Sequence, residues 1–217
     1  MSMDIVASDL EGTLSAGQTW RGMRTYLEAH GQADAFRRFF RRRLPALVLY
    51  RLHLVDDRAF KERWILDVLR LFTGYTPTAF ADVAQWVVES ELWPQRRQAV
   101  VAELEQHREN GRRVLVISGL FQPMLDVFTG RLGVEGIGTP LLFANGRFTG
   151  QIAAPFNVGD YKVAQLQQHM GSNPLVAAYG DTEGDIPMLR LSQEAVAVHP
   201  DRTLRREAAA CGWRILE

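Results

Sequence analysis

The stretch Ile5-Val6-Ala7-Ser8-Asp9-Leu10-Glu11-Gly12-Thr13-Leu14 constrains this chain most. A short apolar run ends in an acid, a second acid follows two residues on, and a glycine comes next. The run reads as a buried strand. The acids then fall where strand gives way to loop, and Gly12 permits a sharp turn. In open α/β sheets ligands bind at the carboxyl ends of the strands. Two carboxylates placed there can hold a hard cation, present a nucleophile or move a proton.

The pattern recurs. Leu175 to Gly180 is a second apolar run, ending in Gly180-Asp181 with Asp185 four residues further on. Between the two lies Val114 to Ile117, ending in Ser118-Gly119, and Lys162 follows in Gly159-Asp160-Tyr161-Lys162. Three candidate strands thus each deliver a polar group at the C-terminal end, and one lysine joins them. Two carboxylate clusters, a hydroxyl and a cation suit a phosphate held against Mg2+: the metal takes oxygen ligands, and Ser and Lys take phosphoryl oxygens.

The order Asp-x-Glu-Gly-Thr, Ile-Ser-Gly, Lys and Gly-Asp-x-x-x-Asp resembles the haloacid dehalogenase superfamily, and within it the phosphoserine phosphatase-like branch with a helical cap. The resemblance runs from Asp4 to about Gly212. It implies an α/β fold: a Rossmann-like three-layer core with a mostly parallel sheet, and an all-helical cap inserted after the first strand. It also implies roles. Asp9 would be the nucleophile. Glu11 would protonate the leaving oxygen and then activate water, with its backbone carbonyl on Mg2+. Ser118 and the Gly119 N–H would bind phosphoryl oxygens, and Lys162 would neutralise charge beside Asp9. Asp9, Glu11, Asp181 and Asp185 would form the metal site. Two residues depart from the pattern. Glu11 stands where Asp is usual, which bears on the balance between hydrolysis and transfer to an alcohol. Gly184 stands where Asn is frequent, removing an amide near the site.

Length and composition agree with a core domain plus an insert. The 217 residues carry 25 basic and 25 acidic side chains, and zero net charge argues against nucleic acid as a partner. One cysteine, Cys211, excludes an internal disulfide and is expected to pack on a helix; the five histidines show no metal spacing. Neither a secretory leader nor a spanning run is read, which makes the cytoplasm the expected location. Oligomeric state is left open.

The expected division is a core of residues 1–14 and 93–217 and a cap of 15–92. Cap helices are predicted over Trp20–His30, over Ala33–Leu54 with a break near Pro45, over Asp57–Phe72 and over Thr78–Leu92. In the core, helices are predicted over Arg96–Asn110, Gln122–Leu132, Tyr161–Met170, Ile186–Leu191 and Asp201–Cys211. Strands are predicted over 4–14, 114–118, 175–180 and 195–199, and a hairpin joins 137–143 to 147–153 through Asn145-Gly146.

The cap is where substrate choice would lie. The resemblance places an amine-binding acid soon after the first motif, but Gln18 stands there, which argues against phosphoserine. Arg63 loosely matches a carboxylate-binding arginine, and Trp20 lies near the cap hinge. The segment Phe36 to Leu44 holds five arginines. They form a solvated helix face, attract an anionic substrate, or touch an anionic membrane. The expected partner is a small phosphorylated metabolite. The alternatives are transfer to an alcohol and non-catalytic binding of a phospho-ligand.

Overall fold

The computed structural model describes residues 3–52 and 54–217; His53, one of the histidines read above, lies outside them. Its centre is a six-stranded sheet of β1 (Ile5–Ser8), β2 (Arg113–Phe121), β3 (Glu135–Thr139), β6 (Leu175–Gly180), β7 (Glu194–Val198) and β8 (Arg214–Leu216). The spatial order is β3-β2-β1-β6-β7-β8, and every neighbouring pair is parallel. β1 lies between β2, which leads the chain to one side, and β6, which brings it back on the other. That reversal opens a crevice at the strands' carboxyl ends. β1 is buried throughout, which explains its unbroken apolar run. The remaining strands, β4 (Leu141–Ala144) and β5 (Arg147–Ile152), form a separate antiparallel hairpin.

Four inserted helices follow β1: α1 (Thr19–Ala29), α2 (Ala33–Arg51), α3 (Asp57–Leu69) and α4 (Pro77–Val87). A 3-10 turn (Arg70–Phe72) extends α3 and a π turn (Val88–Leu92) extends α4. The core helices are α5 (Gln98–Glu109), α6 (Gln122–Leu132), α7 (Gly159–Met170), α8 (Ile186–Leu191) and α9 (Arg202–Cys211). Caps explain several boundaries. Asp56, Thr76 and Asp201 each accept a backbone N–H of the first turn, and Gly133 and Gly212 end α6 and α9 in left-handed conformation.

One face of the sheet and the inserted helices share a hydrophobic cluster. Leu27, Phe72, Val83 and Val87 belong to the same cluster as Val116, Phe128 and Tyr179. A second cluster fills the other face, around Leu115, Leu166, Met188 and Leu204. The hairpin also leans on the insert: Phe148 meets Phe80 with ring centroids 5.3 Å apart, and backbone bonds join Phe148 to Gly74 and Tyr75. Among the described residues no helix is long and apolar enough to cross a membrane.

Several expectations are corrected. The first strand ends at Ser8, so Asp9 to Leu14 is a turn rather than strand. α2 runs through Pro45 unbroken, at the loss of the bond a residue there would give the Arg41 carbonyl. Residues 137–143 split at Pro140 into β3, in the main sheet, and β4, in the hairpin. β8 was not foreseen; it is three residues on an edge, and only its pairing with β7 defines it. Cys211 is exposed instead of packed.

Candidate active site

The crevice gathers side chains from three neighbouring strands. Asp9 follows β1, Ser118 and Gly119 lie within β2, and Asp181 follows β6. Lys162 reaches in from the first turn of α7, and Asp185 from a 3-10 turn after β6. All of them, with Glu11, Gln18 and Trp20, line one cavity of about 1260 Å3 between core and insert. Arg63 is exposed on α3 and does not line it.

Lys162 is the organising cation. Its Nζ donates to Asp9 Oδ1 at 2.7 Å and to Asp185 Oδ1 at 2.6 Å, and only 2% of its side chain is exposed. Burial alone would favour a neutral amine, but Asp185 and Asp9 hold it charged, above the ordinary lysine value. Asp185 Oδ2 accepts from the backbone N–H of Asp181 and Thr182 and from the Thr182 hydroxyl. Asp185 therefore anchors both the lysine and the loop that carries Asp181. The Thr13 hydroxyl donates to Asp181 Oδ1 at 2.9 Å, fixing that carboxylate from the opposite loop.

Asp9, Asp181 and Asp185 each offer an oxygen within 4.8 Å of the other two. Three buried or half-buried carboxylates against one ammonium leave an excess of two negative charges. Such an all-oxygen, doubly anionic pocket fits a hard divalent cation such as Mg2+. Without one, burial and then the neighbouring carboxylates push Asp181 above its ordinary value. Asp9 is raised mainly by burial, against the pull of Lys162.

Glu11 sits apart from this cluster. Its Oε1 accepts the Thr19 N–H at 3.1 Å and its Oε2 the Thr19 hydroxyl at 2.8 Å, so it is held at the N-terminus of α1. Burial nevertheless raises it to about 7, with the Thr19 bonds opposing. A carboxyl near neutrality can both give and take a proton. Thr19 was not singled out in the sequence, where a threonine opening a helix carries no separate signal. Thr182 was legible in principle, because Thr-x-x-Asp is a capping-box pattern.

Gly12 makes the close approach of the two acidic loops possible. Its φ is +101°, and a Cβ there would lie 2.0 Å from Asp181 Oδ2. Gly12→Ala is expected to displace Asp181 and lower kcat/KM by about 10²-fold, the usual result of a 1 Å misplacement. Steady-state kinetics across a Mg2+ titration would check this; wild-type rates with unchanged metal dependence would refute it.

Asp9, Glu11 and Asp181 all hold protons more tightly in the folded chain than at their ordinary 3.8 to 4.5. The unfolded chain sheds those protons first, so the folded state binds more of them as pH rises. Stability in chelator is therefore expected to fall between about pH 4 and pH 8. Mg2+ binds the deprotonated groups and is expected to flatten that fall while releasing protons. Thermal unfolding at stepped pH, with chelator or Mg2+, would measure both.

The comparisons with known proteins bear on this geometry. The family model for haloacid dehalogenase-like hydrolases matches residues 6–190, which takes in every motif residue named above. The chain belongs to that family. A probable phosphatase of Mycobacterium tuberculosis is 32% identical over 115 residues, covering 51% of this chain and 40% of the relative. A histidinol-phosphatase of Neisseria meningitidis is 29% identical over 143 residues, covering 62% of each chain. This haloacid dehalogenase-like chain thus spans 40% to 62% of the length of these relatives. Among solved structures, a Bordetella pertussis protein of unknown function has TM-score 0.79 at 21% identity, covering 100% of this chain and 99% of that one. An apo phosphoserine phosphatase has TM-score 0.64 at 14% identity, covering 99% and 94%. Both share the fold: the α/β core of the family with phosphoserine phosphatase-like architecture.

Proposed function

We propose that the protein is a Mg2+-dependent phosphomonoester hydrolase that works through an aspartyl phosphate on Asp9. The observation that carries this reading is the buried Lys162 bridging Asp9 and Asp185 at the floor of a cavity, with Asp181 alongside. Relatives named as phosphatases support the same reaction class. Asp9, Asp181 and the Glu11 carbonyl would hold Mg2+, with Asp185 supporting them; the metal supplies charge neutralisation on the phosphoryl group.

Lys162 fixes Asp9 Oδ1, leaving Oδ2 to attack phosphorus. The bond to the ester oxygen breaks as Glu11 gives that oxygen its proton, and the alcohol departs. Ser118, whose Oγ accepts the Leu120 N–H and whose hydroxyl bonds the Asp9 carboxylate, would turn that hydrogen to a phosphoryl oxygen once substrate is bound. Glu11 then takes a proton from water as that water attacks phosphorus. Phosphate leaves and Asp9 is regenerated. One hard displacement is thereby split into two easier ones.

The test is phosphate release from a panel of phosphomonoesters, with and without Mg2+, in the presence and absence of added alcohols. Release that requires Mg2+ is the expected result. Folded protein that releases no phosphate from any member would overturn the reading. A phosphorylated alcohol whose yield tracks acceptor concentration would redirect it to phosphotransfer.

A further inference from the structure

The cavity is far larger than a phosphate and a three-carbon alcohol require; ligand pockets commonly measure about 300–1000 Å3, and this one about 1260 Å3. Along its cap wall, between charged side chains such as Arg21 and Lys61, runs a row of rings. Trp20 stands at the floor, beside Gln18. Trp64 packs edge-on to it with centroids 6.0 Å apart, Phe60 follows 6.0 Å from Trp64, and Tyr50 stacks on Phe60 at 4.2 Å. Phe40 joins Trp64 from the side at 6.1 Å. All five line the cavity. They form a continuous apolar track from the catalytic floor to the far end of α2.

The rings themselves give a small metabolite few polar hooks, with Arg21 and Lys61 lining the cavity beside them. Gln18, at the position of an amine-binding acid, has its Oε1 occupied by the Trp20 indole N–H at 2.9 Å. Gln18 therefore orients the first ring. The carboxylates that do line the cap wall, Glu28 and Glu62, are each paired with an arginine on their own helix, Arg24 and Arg58. A planar base is also a poor match. Phe60 and Tyr50 each spend one ring face on the other, 9° from parallel, and Trp20 and Trp64 meet at 89°.

The track ends where the surface itself becomes apolar. Leu47 and Tyr50 line the cavity, while Leu44, Val48 and Leu49 on the same helix, and Leu52 just after it, are 42% to 61% exposed. Leu54 follows at 67%. The rim is basic: Arg41 and Arg51 line the cavity mouth and pair with no carboxylate among the described residues.

From these observations, and resting on the phosphatase reading above, we propose that the substrate is an amphiphilic phosphomonoester. Its phosphate sits at Asp9, and its alcohol carries a linear aliphatic chain laid along Trp20, Trp64, Phe60 and Tyr50. The exposed leucines of α2 are where a longer chain leaves the cavity. The chemistry is that of a lipid phosphate or of a free long-chain alkyl phosphate.

Ethyl, hexyl and decyl phosphate, kept monomeric, would be compared by kcat/KM with a nucleoside monophosphate and phosphoserine. Each methylene buried on the track is expected to raise kcat/KM about three- to fourfold, from roughly 0.8 kcal/mol per buried CH2. Tyr50→Asp and Phe60→Asp, checked for folding by circular dichroism, are expected to flatten that slope. The wild-type series stands by itself if a variant fails to fold. Mg2+-dependent release with no gain from ethyl to decyl, or with the nucleotide or phosphoserine preferred, would overturn this inference and leave the phosphatase reading intact. No release from any ester would sink the phosphatase reading instead. A lysolipid phosphate offered in vesicles and in albumin-bound form separates the two sources: a vesicle preference assigns the chain to a bilayer, an albumin preference to a free amphiphile.

Discussion

Asp9→Asn is expected to lower phosphate release by about 10⁴-fold or more, because the amide cannot attack phosphorus and no second carboxylate can take its place. Asp185 is committed to Lys162 and to the loop at Asp181, Asp181 is held by the Thr13 hydroxyl, and Glu11 is tied to Thr19. None of the three is free to move in as a nucleophile. The substitution removes one negative charge from a crowded, buried cluster, so the fold is expected to survive it. Unfolding temperature in chelator should hold or rise, since Lys162 then balances two carboxylates instead of three. Single-turnover assays on a labelled ester would complete the picture: wild type should carry label on the protein, and the variant none. Label retained by Asp9→Asn would place the nucleophile elsewhere.

Lys162→Met is expected to cost the fold more than any other single change at the site. The methionine fills much of the lysine's volume but leaves Asp9, Asp181 and Asp185 gathered within 4.8 Å without a cation. Removing one partner of a buried ion pair typically costs about 3–5 kcal/mol, which for a chain of this size lowers the midpoint by on the order of 10 °C. The loss should be smaller in acid. Without the ammonium the carboxylates keep their protons to higher pH, and the penalty appears as those protons leave. Mg2+ should restore part of the stability by standing in for the lost charge, though not the activity. Thermal unfolding across pH, with chelator or with Mg2+, reads both effects. A variant that melts with the wild type at neutral pH in chelator would show that Lys162 is not the counter-charge of the cluster.

Much of the core was legible because its signals are local. α6 carries Pro123 in its first turn and ends at Gly133, and both ends were read correctly. β6 is an apolar run closed by Gly180-Asp181, and it too was read end to end. The gathering of Asp9, Ser118, Lys162, Asp181 and Asp185 follows from parallel strands whose carboxyl ends share one edge, so strand assignment alone brought them close. What escaped depends on contacts distant in sequence. β8 exists only through its pairing with β7, and the Pro140 split depends on which partner each half meets. The Thr19 clamp on Glu11 bridges a loop whose path a linear pattern does not encode. Arg63 was drawn in by resemblance to the family. The apolar face of its own helix, with Phe60, Trp64 and Val68, already placed it on the flank away from the cavity.

The inserted helices are anchored unequally. α1 and α4 share buried side chains with the sheet, whereas the 19 residues of α2 bury only Phe36. Two kinds of heritable change are thereby kept apart. Mutation in the rooted helices disturbs the floor on which phosphate is handled. On the proposed function, mutation between residues 33 and 65 is expected to alter which alcohol is accepted and to leave that floor standing. Grafting this outer segment between relatives should exchange substrate preference as a unit, giving a lineage room to diversify its chemistry of choice without rebuilding the chemistry itself.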